Sequence, residues 1–342
     1  MFDLAVHLLR FRAEVTRPLR LPPAAGAALR GALFGALRAE FCAAAGSPAC
    51  GQPPVAGSCP VCFLLAPQVA GNRRGQDVPR PYALRVPPAA PREYQPGQSF
   101  EFTLATFGRA LGVFPYALLG VQAMGERGLG ADRAGSFRLA EVWAENPLAG
   151  RQERVYRAAD AAVATPALPI DAVQVAAEAA ALAARLTPAA QTGAAGCALL
   201  PPTPRSARHV AVRLTFHAPL RLIEGGGLVK PAAFEVSTLL ARLHERLDAL
   251  GTHYGVGPTG LAPATLRAQA ERVQIVERRL VWRDLFRGST RHGRQLPMGG
   301  LVGDVVLAGD LAPLLPWLVW GSLIHVGKDA AMGNGLFAVE RA

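Results

Sequence analysis

A chain of 342 residues, 51% of them hydrophobic, is long enough for two domains of ordinary size and can fill a core for each. Its formal net charge of +11 favours anionic partners, nucleic acid first and an acidic membrane surface second. The longest apolar stretch, "LAPLLPWLVWGSLIHVG", carries two prolines and falls short of the ~20 residues of a spanning helix, which excludes it as a membrane span. Lysine occurs only at Lys230 and Lys328, so nearly all positive charge is arginine. A GC-rich genome would produce the same excess of Ala, Gly, Pro and Arg. "MFDLAVHLLRFRAE" has neither a basic start before a long apolar run nor a small-residue cleavage site. We expect a soluble, cytoplasmic protein with no membrane partner.

In chain order, "FDLAVHLLRF" alternates apolar and polar residues as a strand does. "AGAALRGALFGALRAEF" follows as a helix, with Leu29, Leu33, Leu37 and Phe41 four apart. A cysteine-containing insertion covers about residues 42–75. "RPYALRV" and "SFEFTLATF" read as strands, "FPYALLGVQAMGERG" as a helix with Pro115 near its start, and "SFRLAEVWA" as a returning strand. Residues 146–206 are rich in Ala and Pro and read as a linker, in which "DAVQVAAEAAALAARL" is helical by propensity. "RHVAVRLTF" then opens a second series as a strand. The helix "FEVSTLLARLHERLDALG" follows, stopped by Gly251, and then the strands "ERVQIVERRLVW" and "GGLVGDVVLAG". The last helix has Asp310 as N-cap and Gly327 as stop, and "GLFAVE" is the final strand. Both series run β-α-β-β-α-β. We therefore expect an α+β protein of two tandem ferredoxin-like (RRM-like) domains, residues 1–145 and 207–342.

"HVGKDAAMGNGLF" is the densest glycine segment near the chain's end. A phosphate-binding loop places its lysine after the second glycine with a helix behind, and Lys328 precedes Gly333. A dinucleotide fingerprint runs strand, glycines, helix, and the order here is reversed. Two readings stay open: backbone amides of Gly327, Gly333 and Gly335 lying against a nucleic-acid backbone beside Lys328, or a tight helix-to-strand connection. His325, before the first glycine, is either a packed capping residue or a proton-transfer group. "WRDLFRGSTRHGRQLPMGG" joins two strands and carries Arg287, Arg291, His292 and Arg294. It is a phosphate-holding hairpin or a solvated loop. Arg30 and Arg38 share one face of the first helix, which is either RNA-facing or simply exposed. Cys42, Cys50, Cys59 and Cys62 would hold one structural zinc, or stand as free thiols. No carboxylate cluster for magnesium is present, nor the usual serine or zinc hydrolase motifs. A chain that cuts nucleic acid without metal would need RNA, whose 2′-hydroxyl can attack the neighbouring phosphate.

These segments carry a resemblance. "LRGALFGALRAEFC", "RPYALRVPPAAPREYQPGQSFEFTLATFGRA", "GERGLGADRAGSFRLAEV", "APLRLIEGGGLVKPAAFEVSTLLARLHERL", "WRDLFRGSTRHGRQLPMGGLVGD" and "HVGKDAAMGNGLF" resemble the CRISPR-associated endoribonucleases of the RAMP superfamily that process precursor CRISPR RNA. The resemblance implies CRISPR repeat RNA as partner, with other CRISPR effector subunits as further partners. It implies metal-independent cleavage within repeats by 2′-hydroxyl attack, giving a 2′,3′-cyclic phosphate and a 5′-hydroxyl, and no catalytic cofactor. It also implies His325 as general acid/base, with His292 or His7 as substitutes, and Lys328 on the phosphate. Arg287, Arg291 and Arg294 would hold RNA with the three glycines. Many members carry a catalytic histidine in or near the first helix. This helix has none, which leaves Arg30 and Arg38 as replacements there. The same departure supports an alternative, a RAMP subunit that binds CRISPR RNA without cutting it. A metabolite or metal sensor of two ferredoxin-like domains is the reading from another class.

Overall fold

A computed structural model describes residues 2–42, 59–67, 78–130, 133–160, 162–186, 211–289 and 294–342. In the first lobe the chain runs β1 (Val6–Arg17), α1 (Ala25–Phe41), α2 (Pro60–Leu65), β2 (Tyr82–Arg85), β3 (Ser99–Phe107), α3 (Phe114–Arg127), β4 (Ser136–Asn146) and β5 (Arg151–Arg157). Its sheet is antiparallel, in the order β2-β3-β1-β4-β5. Alternation sets the register: Leu9 faces Leu104, Phe11 faces Phe102 and Ala13 faces Phe100. Phe11 and Phe102 stack with ring centroids 5.2 Å apart. Against that apolar face lie Leu29, Leu33 and Leu37 of α1 and Val121 and Met124 of α3. Gly120 of α3 is required there, because a Cβ would run into the Leu37 side chain.

Helix α4 (Ala172–Leu186) leads to the second lobe: β6 (Ala211–Leu220), α5 (Val236–Tyr254), α6 (Pro263–Ala270), β7 (Val273–Arg283), β8 (Phe286–Ser289), β9 (Arg294–Pro297), β10 (Gly300–Gly309), α7 (Leu315–Ile324) and β11 (Phe337–Arg341). Its main sheet has the order β7-β10-β6-β11, antiparallel throughout. Setting aside β5 and the β8–β9 hairpin, both lobes place their strands as second, third, first, fourth. That is the ferredoxin-like order the β-α-β-β-α-β reading expects. Leu239, Leu243, Leu247 and Leu250 of α5 are all fully buried, each contributing about 1.5–3 kcal/mol of apolar burial.

Three local expectations change. Gly251 does not stop α5. The helix continues to Tyr254, and the missing side chain leaves room for the Gly257 carbonyl and the Phe2 ring. Asp310 does not cap α7, which begins five residues later with a proline in its first turn and no side-chain cap, while Asp310 sits 3.7 Å from Arg272. The stretch read as linker holds two elements. β5 extends the first sheet, and α4 buries Val175, Ala179, Leu182 and Leu186 in the core of the second lobe.

That core also takes in Leu4, Val6, Leu8 and Phe107 of the first lobe, so the lobes share apolar interior. Close backbone approaches reinforce the junction. Gly108 lies against the Tyr254 carbonyl and Gly255 against the Asp3 carbonyl, and the Val256 amide donates to Asp3 at 3.0 Å. Among the described residues no helix is long and apolar enough to cross a membrane.

Candidate functional site

The glycine-rich turn between α7 and β11 is packed against protein. Gly327, Gly333 and Gly335 all have positive φ, and a Cβ at Gly327 or Gly335 would strike the Arg221 or Val326 carbonyl. At Gly333 the nearest atom is the Leu84 carbonyl of β2, in the other lobe. Gly26, in the first turn of α1, admits the Met332 carbonyl where a side chain would overlap it. Nor are the turn's amides bare: Lys328 donates to Arg221 (2.9 Å), Gly333 to Ala330 (3.0 Å) and Gly335 to Pro219 (3.1 Å). The tight-connection reading is the one the contacts support. Gly327 and Gly335 let the turn fold closely on its own lobe, and Gly333 serves the approach of that lobe's backbone to the other's.

His325 is fully buried at the C-cap of α7, with φ 62°. Its Nδ1 lies 3.2 Å from the Asn334 carbonyl, and its Nε2 is enclosed without a partner. Burial, and then the positive charges of Arg85 and Arg246, hold its pKa well below the ordinary histidine value, against a smaller opposing effect from the Asn334 carbonyl. Both arginines are occupied at the helix end. Arg85 of β2 donates to the Ser322 carbonyl at 3.0 Å and the Leu323 carbonyl at 2.6 Å, and Arg246 of α5 donates to the Ile324 carbonyl at 2.9 Å. They satisfy carbonyls that every helix C-terminus leaves open. A general acid or base has to reach its substrate. His325 is instead enclosed in an interlobe clamp, out of a substrate's reach, which speaks against its assignment to proton transfer.

Beside that clamp the lobes leave a cleft of about 170 Å³. The first lobe contributes the start of α1 and the proline-rich segment ending at Arg92. The second contributes His217 of β6, Arg283 at the end of β7, and Gly333 and Asn334 of the glycine turn. The titratable side chains lining it are Arg92, His217 and Arg283, with no carboxylate. All three are exposed, and none of the three side chains has an ion-pair or hydrogen-bond partner among the described residues. Elsewhere arginines are mostly engaged. Arg10 meets Glu101 and Glu145, Arg12 and Arg154 meet Glu141, and Arg213 and Arg279 meet Asp304. Helix α1 enters the cleft with no side-chain cap, so its positive dipole end adds to the field. His217 was not singled out from the sequence. The signal was there: Val212, Leu214 and Phe216 alternate inward, which puts His217 on the opposite face.

Other expected residues are dispersed. Lys328 is exposed on the turn. Arg287 and Arg294 stand on one face of the β8–β9 hairpin, because Arg287 pairs with Leu296 and Ser289 with Arg294. Arg291, His292 and Cys50 lie outside the described residues. Arg30 is half-buried with a terminal nitrogen 3.4 Å from the Leu65 carbonyl, so it braces α2, and Arg38 alone of that pair is exposed. His7 is buried, which lowers its pKa and withdraws it from any outward role.

Of the four cysteines, Cys42, Cys59 and Cys62 are described. Burial raises the Cys59 pKa, but the Cys62 and Val61 amides and the Cys62 and Cys42 thiols outweigh that and lower it overall. Among the described residues no group of three or more His, Cys, Asp or Glu side chains is placed to hold a metal ion.

Two ferredoxin-like units share a core, with a glycine turn before the last strand and a basic cleft between the lobes. Residues 214–337 match the family model described as CRISPR-associated endoribonuclease Cas6, and residues 4–168 match one described as an N-terminal domain. Over residues 214–337 the chain is thus similar to the Cas6 family of CRISPR-associated proteins. A Thermus thermophilus Cas6 product complex shares its fold at 16% identity with a TM-score of 0.52, over 98% of this chain and 99% of that one. A partial Cas6-RT-Cas1–Cas2 complex shares it at 13% identity with a TM-score of 0.57. This chain is covered over 99% there but spans only 46% of the other's length. No curated protein sequence matches the chain.

Proposed function

We propose that this protein cuts precursor CRISPR RNA within its repeats, without a metal ion, in the cytoplasm. The 2′-hydroxyl attacks the adjacent phosphorus, the bond to the 5′-oxygen breaks, and the products are a 2′,3′-cyclic phosphate and a 5′-hydroxyl. One observation carries the reading. The interlobe cleft gathers a histidine and two unpaired arginines and offers no carboxylate with which to ligate magnesium. Unpaired guanidinium groups and a helix N-terminus stabilise the extra charge on a pentacoordinate phosphate. Exposed Lys328 and the hairpin residues Arg287 and Arg294 extend the basic surface for the flanking RNA. Other CRISPR subunits are the natural further partners of the processed RNA.

The test is incubation with repeat RNA in EDTA, beside the same RNA carrying a 2′-deoxy nucleotide at the cut. Cleavage of the first alone, with a cyclic phosphate end, supports the proposal. Salt-sensitive binding with no cleavage of either would favour the second reading, a subunit that holds CRISPR RNA. The histidine-free first helix and the burial of His325 are the observations on that side.

A further inference from the structure

We infer that His217 is the proton-transfer residue of this chain, and that Arg92 and Arg283 hold the scissile phosphate beside it. The inference rests on the ribonuclease reading above and assigns it a residue.

The chain has seven histidines, and the fold removes several from consideration. His7 and His325 are buried, and His244 is buried with its Nε2 2.8 Å from the Leu261 carbonyl. His217 is exposed, its ring has no hydrogen-bond partner among the described residues, and it lines the cleft. Its backbone is fixed even though its ring is free. The His217 amide donates to the Leu336 carbonyl at 3.1 Å, and the preceding Phe216 pairs with Phe337 in the last strand. The imidazole therefore stands on a fixed backbone within β6, with solvent access.

The surroundings suit a phosphodiester. Arg92 comes from the first lobe and Arg283 from the second, so a group bound between them touches both halves of the molecule. Among the described residues neither guanidinium is neutralised by a carboxylate, unlike Arg10 and Arg213. A volume of about 170 Å³ has room for roughly five or six waters at ~30 Å³ each, the scale of one phosphate with its ribose rather than of a base-paired helix. Apolar walls, with prolines from both lobes, keep that phosphate partly desolvated, which strengthens its interaction with the cations.

One imidazole can complete the step. Neutral His217 accepts the proton of the 2′-hydroxyl as its oxygen bonds to phosphorus. The imidazolium then returns a proton to the departing 5′-oxygen as the phosphorus–oxygen bond breaks. No proton is gained or lost overall, no water is consumed and nothing is oxidised. The cyclic phosphate leaves carrying the charge that Arg92 and Arg283 faced.

The experiment compares wild type, His217→Ala and Arg283→Ala on RNA of the repeat from the host's own CRISPR array, in EDTA, from pH 5 to 9. Single-turnover cleavage by His217→Ala is expected to fall by about 10²-fold or more. Its RNA affinity at fixed salt and its melting temperature should stay near wild type, because the exposed ring has no hydrogen-bond or ion-pair partner among the described residues. Added imidazole should restore part of its rate, a readout that a purely structural role would not move. Arg283→Ala is expected to lose rate and affinity together and to gain nothing from imidazole. A His217→Ala protein with wild-type rate overturns the assignment and leaves the ribonuclease reading standing. A wild-type protein that leaves the repeat RNA intact overturns both.

Discussion

Replacing His325 with glutamine tests whether that ring is a structural, neutral group. In an unfolded chain a histidine titrates near pH 6.5. In the fold the ring is fully buried beside Arg85 and Arg246, and its pKa lies well below that value. Below pH 6.5 the unfolded state therefore binds a proton that the folded state refuses, so stability falls as pH falls. If the folded ring is still neutral at pH 5, the loss between pH 8 and pH 5 is RT ln(1 + 10^1.5), or about 2 kcal/mol. Glutamine keeps a polar amide in the site and removes the titration. His7 is also buried with a lowered pKa, but it is present in both proteins and cancels in the comparison. Urea unfolding at the two pH values should thus show wild type losing about 2 kcal/mol more than His325→Gln. The variant should also retain most cleavage activity. Equal losses in the two proteins, or a His325 imidazole resonance titrating near pH 6.5 in the folded state, would refute the reasoning.

Gly26→Val should destabilise the protein by about 1–3 kcal/mol, because its side chain overlaps the Met332 backbone and forces α1 from the glycine turn. Calorimetry measures this, and an unchanged melting temperature would mean the two lobes do not meet there. Arg85→Met should cost about 2–6 kcal/mol by leaving the Ser322 and Leu323 carbonyls unpaired, each worth about 1–3. Arg85→Lys should recover only part of it, since an ammonium lacks the planar fork, and full recovery would argue against two-carbonyl capping. Cys59, with its lowered pKa and partial exposure, should be alkylated by iodoacetamide faster than buried Cys62. Protection of all three described thiols, together with equimolar zinc by elemental analysis, would instead point to the metal site expected from their spacing.

Strand and helix periodicity carried the architecture because each element's buried face is a local property. Val212, Leu214 and Phe216 alternate whatever lies opposite them, and Leu239 to Leu250 form a stripe whatever it packs on. Two such series in the ferredoxin-like order were enough to read both lobes. The site was less legible because it belongs to neither lobe. Arg92 and His217 are 125 residues apart, and docking alone places them in one cleft. Glycine was ambiguous for a related reason. A dense run says that something approaches closely, and Gly333 and Gly26 show that the something is the other lobe's backbone rather than RNA. His325 misled because it follows the last helical turn, where periodicity no longer reports burial, and its nearness to Lys328 in sequence is not nearness in environment. One is entombed and the other is exposed.

In an arginine-rich chain, total charge is a weak guide to function, and pairing is a stronger one. The net charge of +11 is a surplus, and what decides its use is where carboxylates are withheld. On the strands around β1, Glu101, Glu141 and Glu145 each meet an arginine, so the surface they share is close to neutral. Around β10, Asp304 serves Arg213 and Arg279 in the same way. At the interlobe junction two further arginines are turned inward to helix carbonyls, where burial depresses Arg85 and Arg246 to about 10 and keeps them from any ligand. Among the described residues Arg92 and Arg283 in the cleft, and Arg294 and Lys328 beyond it, have neither carboxylate nor helix end to occupy them. Unpaired cations cost the fold self-repulsion, which a polyanion relieves. That distribution, rather than the abundance of arginine, is what the proposed path of RNA through the cleft beside His217 rests on.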